Sequence, residues 1–286
     1  MMARTLFPST LLVSVAVLLL QPGCRSKSTA KPDVPAPRAS ASVPQVETRP
    51  APSAEIQAAL NPSNEPVYSG PIGTIRGVIR VSGDPSPELP DVKKAIPAGK
   101  CDDARAFYGT LFREGPGREL ADVLVAVTGY KGYVEATGAS KQVQARGCAF
   151  ESRTMALVFG QRLDVQNRGP ETFIPLLSGA KQAALLVAMP NGDPVKLFPS
   201  KVGEYELVDQ THDYAKAAVF VLKYPTVTVT KLDGKYEISG IPVGEVDVSA
   251  LLPATRGTAT QHVTVTAGEP TTVDLTIPYR AAKAAP

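Results

Sequence analysis

The chain has 286 residues, with 30 Lys and Arg against 27 Asp and Glu, and a formal net charge of +3. This near balance gives no indication of affinity for nucleic acid. There are two histidines, His212 and His262, and no tryptophan. A zinc site with three histidine ligands is therefore excluded within one chain, and the lack of tryptophan argues against a strong aromatic platform for sugars.

The N-terminal segment has the pattern of an export signal. Arg4 supplies a positive start, and residues 11–20 (LLVSVAVLLL) form an apolar run. Ten residues are too few to span a bilayer, which needs about 20, but they fit the apolar region of a signal peptide. The closing Gly23-Cys24 resembles the end of a bacterial lipoprotein signal, in which the new N-terminal cysteine carries the lipid.

We therefore predict a signal peptide over residues 1–23 and lipid attachment at Cys24. Ordinary secretory cleavage and an uncleaved anchor are the alternatives. Acyl chains would hold the mature protein on the membrane surface. Arg25 stands where some lipoproteins carry the aspartate that retains them at the inner membrane, so we expect the outer membrane of a bacterial envelope.

Residues 24–67 are predicted to be a disordered tether. Eight prolines lie between residues 25 and 66, among Ala, Ser and mixed charges. No apolar face repeats along this segment, so it cannot bury enough surface to offset the entropy of ordering. Residues 55–60 (EIQAAL) could form one helical turn, which is too short to persist alone.

From residue 72 the pattern changes to that of β-strands. Apolar and polar residues alternate over residues 74–81 (TIRGVIRV), and residues 122–128 (DVLVAVT) form a second candidate strand. The connection between them, residues 82–119, is long and rich in Pro, Gly and charge. Connections of this length are usually functional or pinned. Further strands are predicted at residues 142–145, 155–159, 162–166, 183–188, 217–222, 227–230, 236–238, 246–250, 263–266 and 273–277.

Cys101 lies in the long connection and could pin it. If Cys24 carries lipid, Cys101 and Cys148 remain. An exported protein meets an oxidising compartment, and no C-x-x-C spacing suggests metal or redox chemistry, so we predict a disulfide between these two cysteines. Two free thiols are the alternative.

Residues 233–248 (DGKYEISGIPVGEVDV) resemble the carboxypeptidase-regulatory-like, transthyretin-like β-sandwich module. The Asp233-Gly234 pair is typical of a tight hairpin turn. The C-terminal residues supply about five strands, and a sandwich of this kind needs about seven. The strands at 74–81 and 122–128 look like the two that are missing.

A second resemblance covers residues 142–222. The strings Gly147-Cys148-Ala149-Phe150 and Gly160-Gln161-x-Leu163-x-Val165-x-Asn167 are similar to the opening of cupredoxin-like lipoproteins. Blue-copper sites use two His, one Cys thiolate and a weak axial Met. The resemblance implies that these ligands fall at Phe173, Asp209, His212 and Ala215, where His212 alone matches. We therefore predict a degenerate copper site and no cofactor.

The sequence thus predicts an all-β protein with two sandwiches. The domains are a transthyretin-like sandwich over 68–141 plus 223–280 and a cupredoxin-like sandwich over 142–222 inserted in it. Two consecutive domains that divide near Tyr224 are the alternative.

Other candidate residues have two interpretations each. Asp209 and His212 could form an acid–base pair or a weak zinc site, but a solvated loop is the simpler interpretation. Tyr130 and Tyr133 lie in a Gly-flanked loop (TGYKGY) and could stack on a ligand or partner; half-buried turn residues are the alternative. His262 shares a polar strand face with threonines and is predicted to be exposed.

No complete catalytic set emerges, so we predict a non-catalytic lipoprotein of the cell envelope. It would bind or scaffold a protein or a glycan through sandwich loops, with the membrane as its lipid-mediated partner and no nucleic acid. A periplasmic copper-binding or electron-transfer protein is one alternative. A hydrolase using His212 and Asp209 is the other.

Overall fold

The structure, a computed structural model, describes residues 50–180 and 184–282. The predicted export signal, Cys24 and most of the predicted tether lie outside these residues. Within them, no helix has the length and apolar character needed to cross a membrane. The predicted all-β class is confirmed, because strands dominate and the helices are short.

Among the described residues, three short helices lie before or between the first two strands: α1 (Ser53–Leu60), α2 (Pro90–Ala95) and α3 (Asp102–Tyr108). The strands of the described residues are β1 (Ile72–Gly83), β2 (Leu124–Thr128), β3 (Ser140–Arg146), β4 (Ala149–Phe150), β5 (Thr154–Val158), β6 (Arg162–Asn167), β7 (Pro175–Ser178), β8 (Val195–Leu197), β9 (Gly203–Asp209), β10 (Lys216–Leu222), β11 (Val227–Val229), β12 (Lys235–Pro242), β13 (Gly244–Leu252), β14 (Gly257–Val265), β15 (Thr271–Thr272) and β16 (Leu275–Tyr279).

The first sandwich is built around the long strand β1. It pairs with β12 in antiparallel fashion and with β15 and β16 in parallel. The facing sheet has the order β11-β2-β13-β14. The alternation seen in the sequence is confirmed, since Ile75, Ile79 and Val81 of β1 are buried together with Val125 of β2 and Val248 of β13.

The second sandwich consists of strands β3 to β10. One sheet has the order β5-β10-β9-β7 and the other β4-β3-β6-β8. All these strands lie in the chain between β2 and β11, which pair with each other in the first sandwich through Val227 and Ala126. The chain therefore leaves the first sandwich after β2 and returns to the neighbouring strand.

The long connection between β1 and β2 packs on the second sandwich. Ile96, Ala104 and Tyr108 are buried in the hydrophobic core of that sandwich. The predicted disulfide is confirmed: Cys101 and Cys148 are joined, with an S–S distance of 2.09 Å and their Cα atoms 5.5 Å apart. A segment that begins and ends in the first sandwich is thus tied covalently to the second.

A buried carboxylate joins the same segments a second time. Asp122, at the start of β2, is 4% exposed. Arg113 of the long connection binds it with two hydrogen bonds, Nε to Oδ2 at 2.7 Å and Nη2 to Oδ1 at 2.8 Å. From the second sandwich, the Ser152 hydroxyl and the Arg153 backbone N–H donate to Oδ1. Paired and fully hydrogen-bonded, the carboxylate can be accommodated away from water.

The predicted tether is wrong at its C-terminal end. Residues 53–60, expected to be disordered apart from one possible turn, form α1. Eight residues are too few for a stable isolated helix, but Ile56 and Leu60 pack against the core of the second sandwich. Ile56 lies directly over Gly160, where an added Cβ would come within 2.9 Å of Ile56 Cγ2.

The predicted strand at 183–188 is also wrong over its described residues. Ala188 forms an isolated bridge with Phe173, and Leu185 and Val187 are exposed by 66% and 46%. The apolar residues Leu185 and Val187 are therefore surface side chains and do not belong to a buried strand.

Removal of the disulfide tests how strongly the connection is held. The bridge closes a loop of 47 residues, for which chain entropy gives about 4 kcal/mol. We expect the variant with both Cys101→Ser and Cys148→Ser to lose about 3 kcal/mol of unfolding free energy, measured by urea denaturation. A reducing agent should lower the stability of the natural protein and leave that of this variant unchanged. Equal stability of the two proteins in the absence of the reducing agent would contradict the expectation.

Candidate functional site

The loop between β9 and β10 brings Asp209 and His212 together. Asp209 ends β9 and is 1% exposed. Its Oδ1 accepts a hydrogen bond from the Ile174 backbone N–H at 2.5 Å. Its Oδ2 lies 2.5 Å from His212 Nδ1 and accepts from the Thr211 hydroxyl at 2.6 Å. The expected solvated loop is therefore wrong at Asp209, because the carboxylate is buried under three donors.

Aromatic rings enclose the His212 imidazole, whose side chain is 14% exposed. The ring of Phe173 lies 5.0 Å from it and that of Tyr214 lies 5.8 Å from it, measured between centroids. Phe173 is fully buried and also contacts Phe150. The position where the cupredoxin resemblance implies a first histidine is thus a core aromatic residue.

The backbone closes the loop tightly around these side chains. The Ala215 N–H donates to the His212 carbonyl at 2.7 Å, and the Asp209 N–H donates to the Ala215 carbonyl at 3.0 Å. Ala215 is fully buried. The four positions implied by the resemblance therefore lie on one loop and the strand beside it, so the structure does bring them together.

These residues do not fit a blue-copper ion. Such a site needs a thiolate and two imidazoles, whereas the four positions offer one imidazole, one carboxylate, a phenyl ring and a methyl group. Cys148, the one cysteine within residues 142–222, is held in the disulfide. In the part of the chain that the structure describes, no three His, Cys, Asp or Glu side chains are grouped so as to hold a metal.

Asp209 and His212 have the mutual orientation that an acid–base dyad requires. A buried carboxylate that holds Nδ1 of a histidine leaves Nε2 to act as a base. The Thr211 hydroxyl, however, lies at 3.1 Å from Nδ1, the nitrogen that faces Asp209. Thr211 is therefore placed to complete the carboxylate cluster and not to act as a nucleophile at Nε2.

Tyr130 and Tyr133 line a cleft of about 320 Å³ between the segment that follows β2 and the segment that follows β10. Tyr130 is half-buried, and its hydroxyl lies 3.1 Å from Thr226 Oγ1. The Tyr133 carbonyl accepts a hydrogen bond from the Tyr68 N–H at 2.7 Å. Burial raises the pKa of Tyr130, Tyr133 and Tyr224, the third tyrosine of the cleft.

Sequence reasoning missed Tyr224 and the far wall of this cleft. Tyr224 follows β10, and residues 60–65 form the opposite wall. Asn61 fixes that wall, since its side chain exchanges two hydrogen bonds with the Glu65 backbone. Tyr224 is about ninety residues away in the chain from Tyr130, so no local pattern could have joined them.

His262 lies on the outer face of the first sandwich and is exposed, as predicted, with 63% of its side chain accessible. Its Nδ1 is 2.9 Å from Asp247 Oδ1, and its Nε2 is 3.0 Å from Glu245 Oε2. The hydrogen bond to Asp247 raises the pKa of His262. Exposed pairs of this kind contribute little to stability.

Comparisons with known proteins complete the description. A scan against protein-family models finds no match, and a search of curated proteins finds no relative. Among solved structures, the chain is similar to a reduced mutant of amicyanin, with 18% identity over 31% of this chain and 87% of that chain and a TM-score of 0.27. Amicyanin from Paracoccus versutus shows 8% identity over 31% and 86%, with a TM-score of 0.26. Neither a family nor a function follows from similarities at this level.

The Asp209 cluster should be structural, and its removal tests this. We expect Asp209→Ala to lower the unfolding free energy by about 2 kcal/mol, because the Ile174 N–H, the Thr211 hydroxyl and His212 Nδ1 lose the buried carboxylate that pairs with them. Urea denaturation measures the loss. Asp213→Ala, at an exposed acid on the same loop, is the matched control and should change stability by less than about 0.5 kcal/mol.

Proposed function

We propose that this protein is a non-catalytic lipoprotein of the cell envelope, held at the outer membrane through Cys24, that binds or scaffolds a protein or glycan partner. We further propose that its second sandwich carries no copper. The observation that supports this most directly is the cluster of Asp209, His212 and Phe173. It replaces soft metal donors with a hydrogen-bonded carboxylate and a hydrocarbon ring.

The chemistry of this cluster disfavours copper in three ways. The Asp209 carboxylate is a hard oxygen donor whose lone pairs are already occupied by three hydrogen bonds. Phe173 and Ala215 offer no donor atom. A blue-copper ion takes its colour and much of its affinity from a thiolate, which none of these positions supplies.

A copper titration tests the proposal. We expect addition of Cu²⁺ to the purified chain to give no intense visible band from thiolate-to-copper charge transfer. The variant combining Phe173→His, Asp209→Cys and Ala215→Met restores the donor set and shows that the assay detects such a site. Stoichiometric blue copper in the natural protein would contradict the proposal.

The cleft of Tyr130, Tyr133 and Tyr224 is the binding surface that we assign to the partner. Tyrosine combines an apolar face with a polar tip, which suits sugar rings and protein surfaces alike. The cleft volume of about 320 Å³ is at the small end of ligand pockets. Its walls come from loops on a β scaffold, where recognition residues are commonly found.

Substitution in the cleft tests this assignment. Partners would first be sought with glycan arrays and with pull-downs from envelope extracts. We expect Tyr133→Ala and Tyr224→Ala each to weaken binding of the partner so found by about tenfold, since truncation of an interface aromatic costs more than about 1 kcal/mol. Leu232→Ala, at a residue exposed by 50% elsewhere on the surface, is the control. Equal losses in the control, or no partner at all, would contradict the assignment.

The alternative of an acid–base enzyme is favoured by one observation, the short contact between Asp209 and His212. In such enzymes the histidine must reach a substrate with Nε2. Here the imidazole packs against the rings of Phe173 and Tyr214 and is largely buried. We therefore assign the pair a structural role and keep the binding proposal.

A further inference from the structure

The junction of the two sandwiches holds two arginines beside one buried carboxylate. Both oxygens of Asp122 are occupied by Arg113. Arg153 reaches Asp122 through its backbone N–H alone. Its side chain donates from Nη1 to the carbonyls of Thr110 and Leu111, at 2.8 and 3.2 Å. Backbone carbonyls carry no full negative charge, so the Arg153 guanidinium forms no ion pair with a carboxylate of the described residues.

The unused edge of Arg153 has the geometry of a carboxylate receptor. Within residues 50–180 and 184–282, its Nε and Nη2 are buried and have no hydrogen-bond partner. These two atoms form the edge with which arginine grips a carboxylate by two parallel bonds. Arg113 uses the same pair of atoms on Asp122. Burial lowers the pKa of Arg153 to about 10, although Asp122 opposes this.

A cavity of about 450 Å³ adjoins Arg153, between α2 and the β9–β10 loop. Tyr214 lines the same cavity, and its hydroxyl is a second buried group without a hydrogen-bond partner among the described residues. A buried polar group without a partner is costly, and here two of them line one cavity. A single bound ligand can satisfy both. The apolar part of the wall comes from Leu89, Val92, Ala95 and the ring of Tyr108.

The charges at the rim limit the ligand to one negative charge. Lys216 lines the cavity together with the acids Asp91 and Asp213, and all three are exposed. Two carboxylates against one lysine give the rim a net negative charge, which repels a multiply charged anion, and the single positive charge of Arg153 matches one carboxylate. A second cavity beside Arg153, of about 310 Å³, is lined by Glu204 and Glu206 and suits an anion less well.

We propose that the cavity between α2 and the β9–β10 loop binds a small organic monocarboxylate with an aromatic or aliphatic body. On binding, the side chains of Arg153 and Tyr214 turn toward the cavity, so that the carboxylate accepts two hydrogen bonds from Nε and Nη2 of Arg153 and one from the Tyr214 hydroxyl. The body of the ligand packs against Leu89 and Val92. This site is separate from the cleft of Tyr130, Tyr133 and Tyr224 and does not depend on the function proposed for that cleft.

Isothermal titration calorimetry of the full-length chain with benzoate tests the proposal. Benzamide has the same shape without the charge, and inorganic phosphate is an anion without the apolar body. We expect benzoate to bind and the other two compounds not to bind. Tyr214→Phe should weaken benzoate binding by about tenfold, the effect of losing one charge-assisted hydrogen bond. Tyr279→Phe, in β16 of the first sandwich and away from this cavity, is the matched control and should bind benzoate as the natural protein does.

Three outcomes would overturn the proposal: a benzoate dissociation constant weaker than about 1 mM, equal binding of benzamide or phosphate, or no effect of Tyr214→Phe. Arg153→Lys keeps the charge and loses the receptor edge, so it should abolish binding. That variant also loses the bonds to Thr110 and Leu111 and can unfold. Tyr214→Phe removes a hydroxyl that has no partner to lose, so its melting temperature without ligand should not fall, and its calorimetry decides the matter.

Discussion

The buried carboxylate of Asp122 is the contact on which the arrangement of the two sandwiches depends. Asp122 starts a strand of the first sandwich, Arg113 belongs to the long connection, and Ser152 and Arg153 belong to the second sandwich. Its φ of +62° lies in the left-handed region, which a non-glycine residue adopts at some cost in free energy. Four hydrogen bonds to one side chain offset that cost and fix the backbone of all three segments.

The disulfide reinforces the same geometry from a different point. Cys101 and Cys148 join the long connection to the second sandwich. The ring of Tyr108 packs in the core of that sandwich, and its hydroxyl accepts a hydrogen bond from the Phe150 N–H. The connection is therefore a wall of the second sandwich and not a free loop. That wall supplies Leu89, Val92 and Tyr108 to the cavity beside Arg153.

Strand positions were predicted best from the sequence where one face of the strand is buried. The alternation in residues 74–81 corresponds to β1 and that in 246–250 to β13, because the apolar set of each strand faces one core. Residues 227–230 contain β11, whose residues are only half-buried. Strand β9 was missed although Tyr205 and Leu207 alternate with glutamates in it. Helix α1 could not be predicted, since its stability comes from contacts with distant residues.

The residues of the candidate site could be predicted from the sequence, but the burial and hydrogen bonding of Asp209 could not. The spacing from Asp209 to Ala215 placed three of the four positions on one loop. The burial of Asp209 depends on the Ile174 N–H, which comes from the neighbouring strand, and a local pattern of charges cannot reveal such a donor. The Arg153 cavity lay beyond prediction for the same reason, because its walls come from segments more than a hundred residues apart.

The pairing of β2 with β11 has a consequence for how this architecture can change. Both ends of the second sandwich are attached to adjacent, hydrogen-bonded strands of its host. Residues within the inserted unit can be exchanged without shifting the register of the strands that carry it. The surface loops of such a unit can be remodelled for new ligands while the host keeps its shape, as long as Cys148, Ser152 and Arg153 keep their contacts with the host.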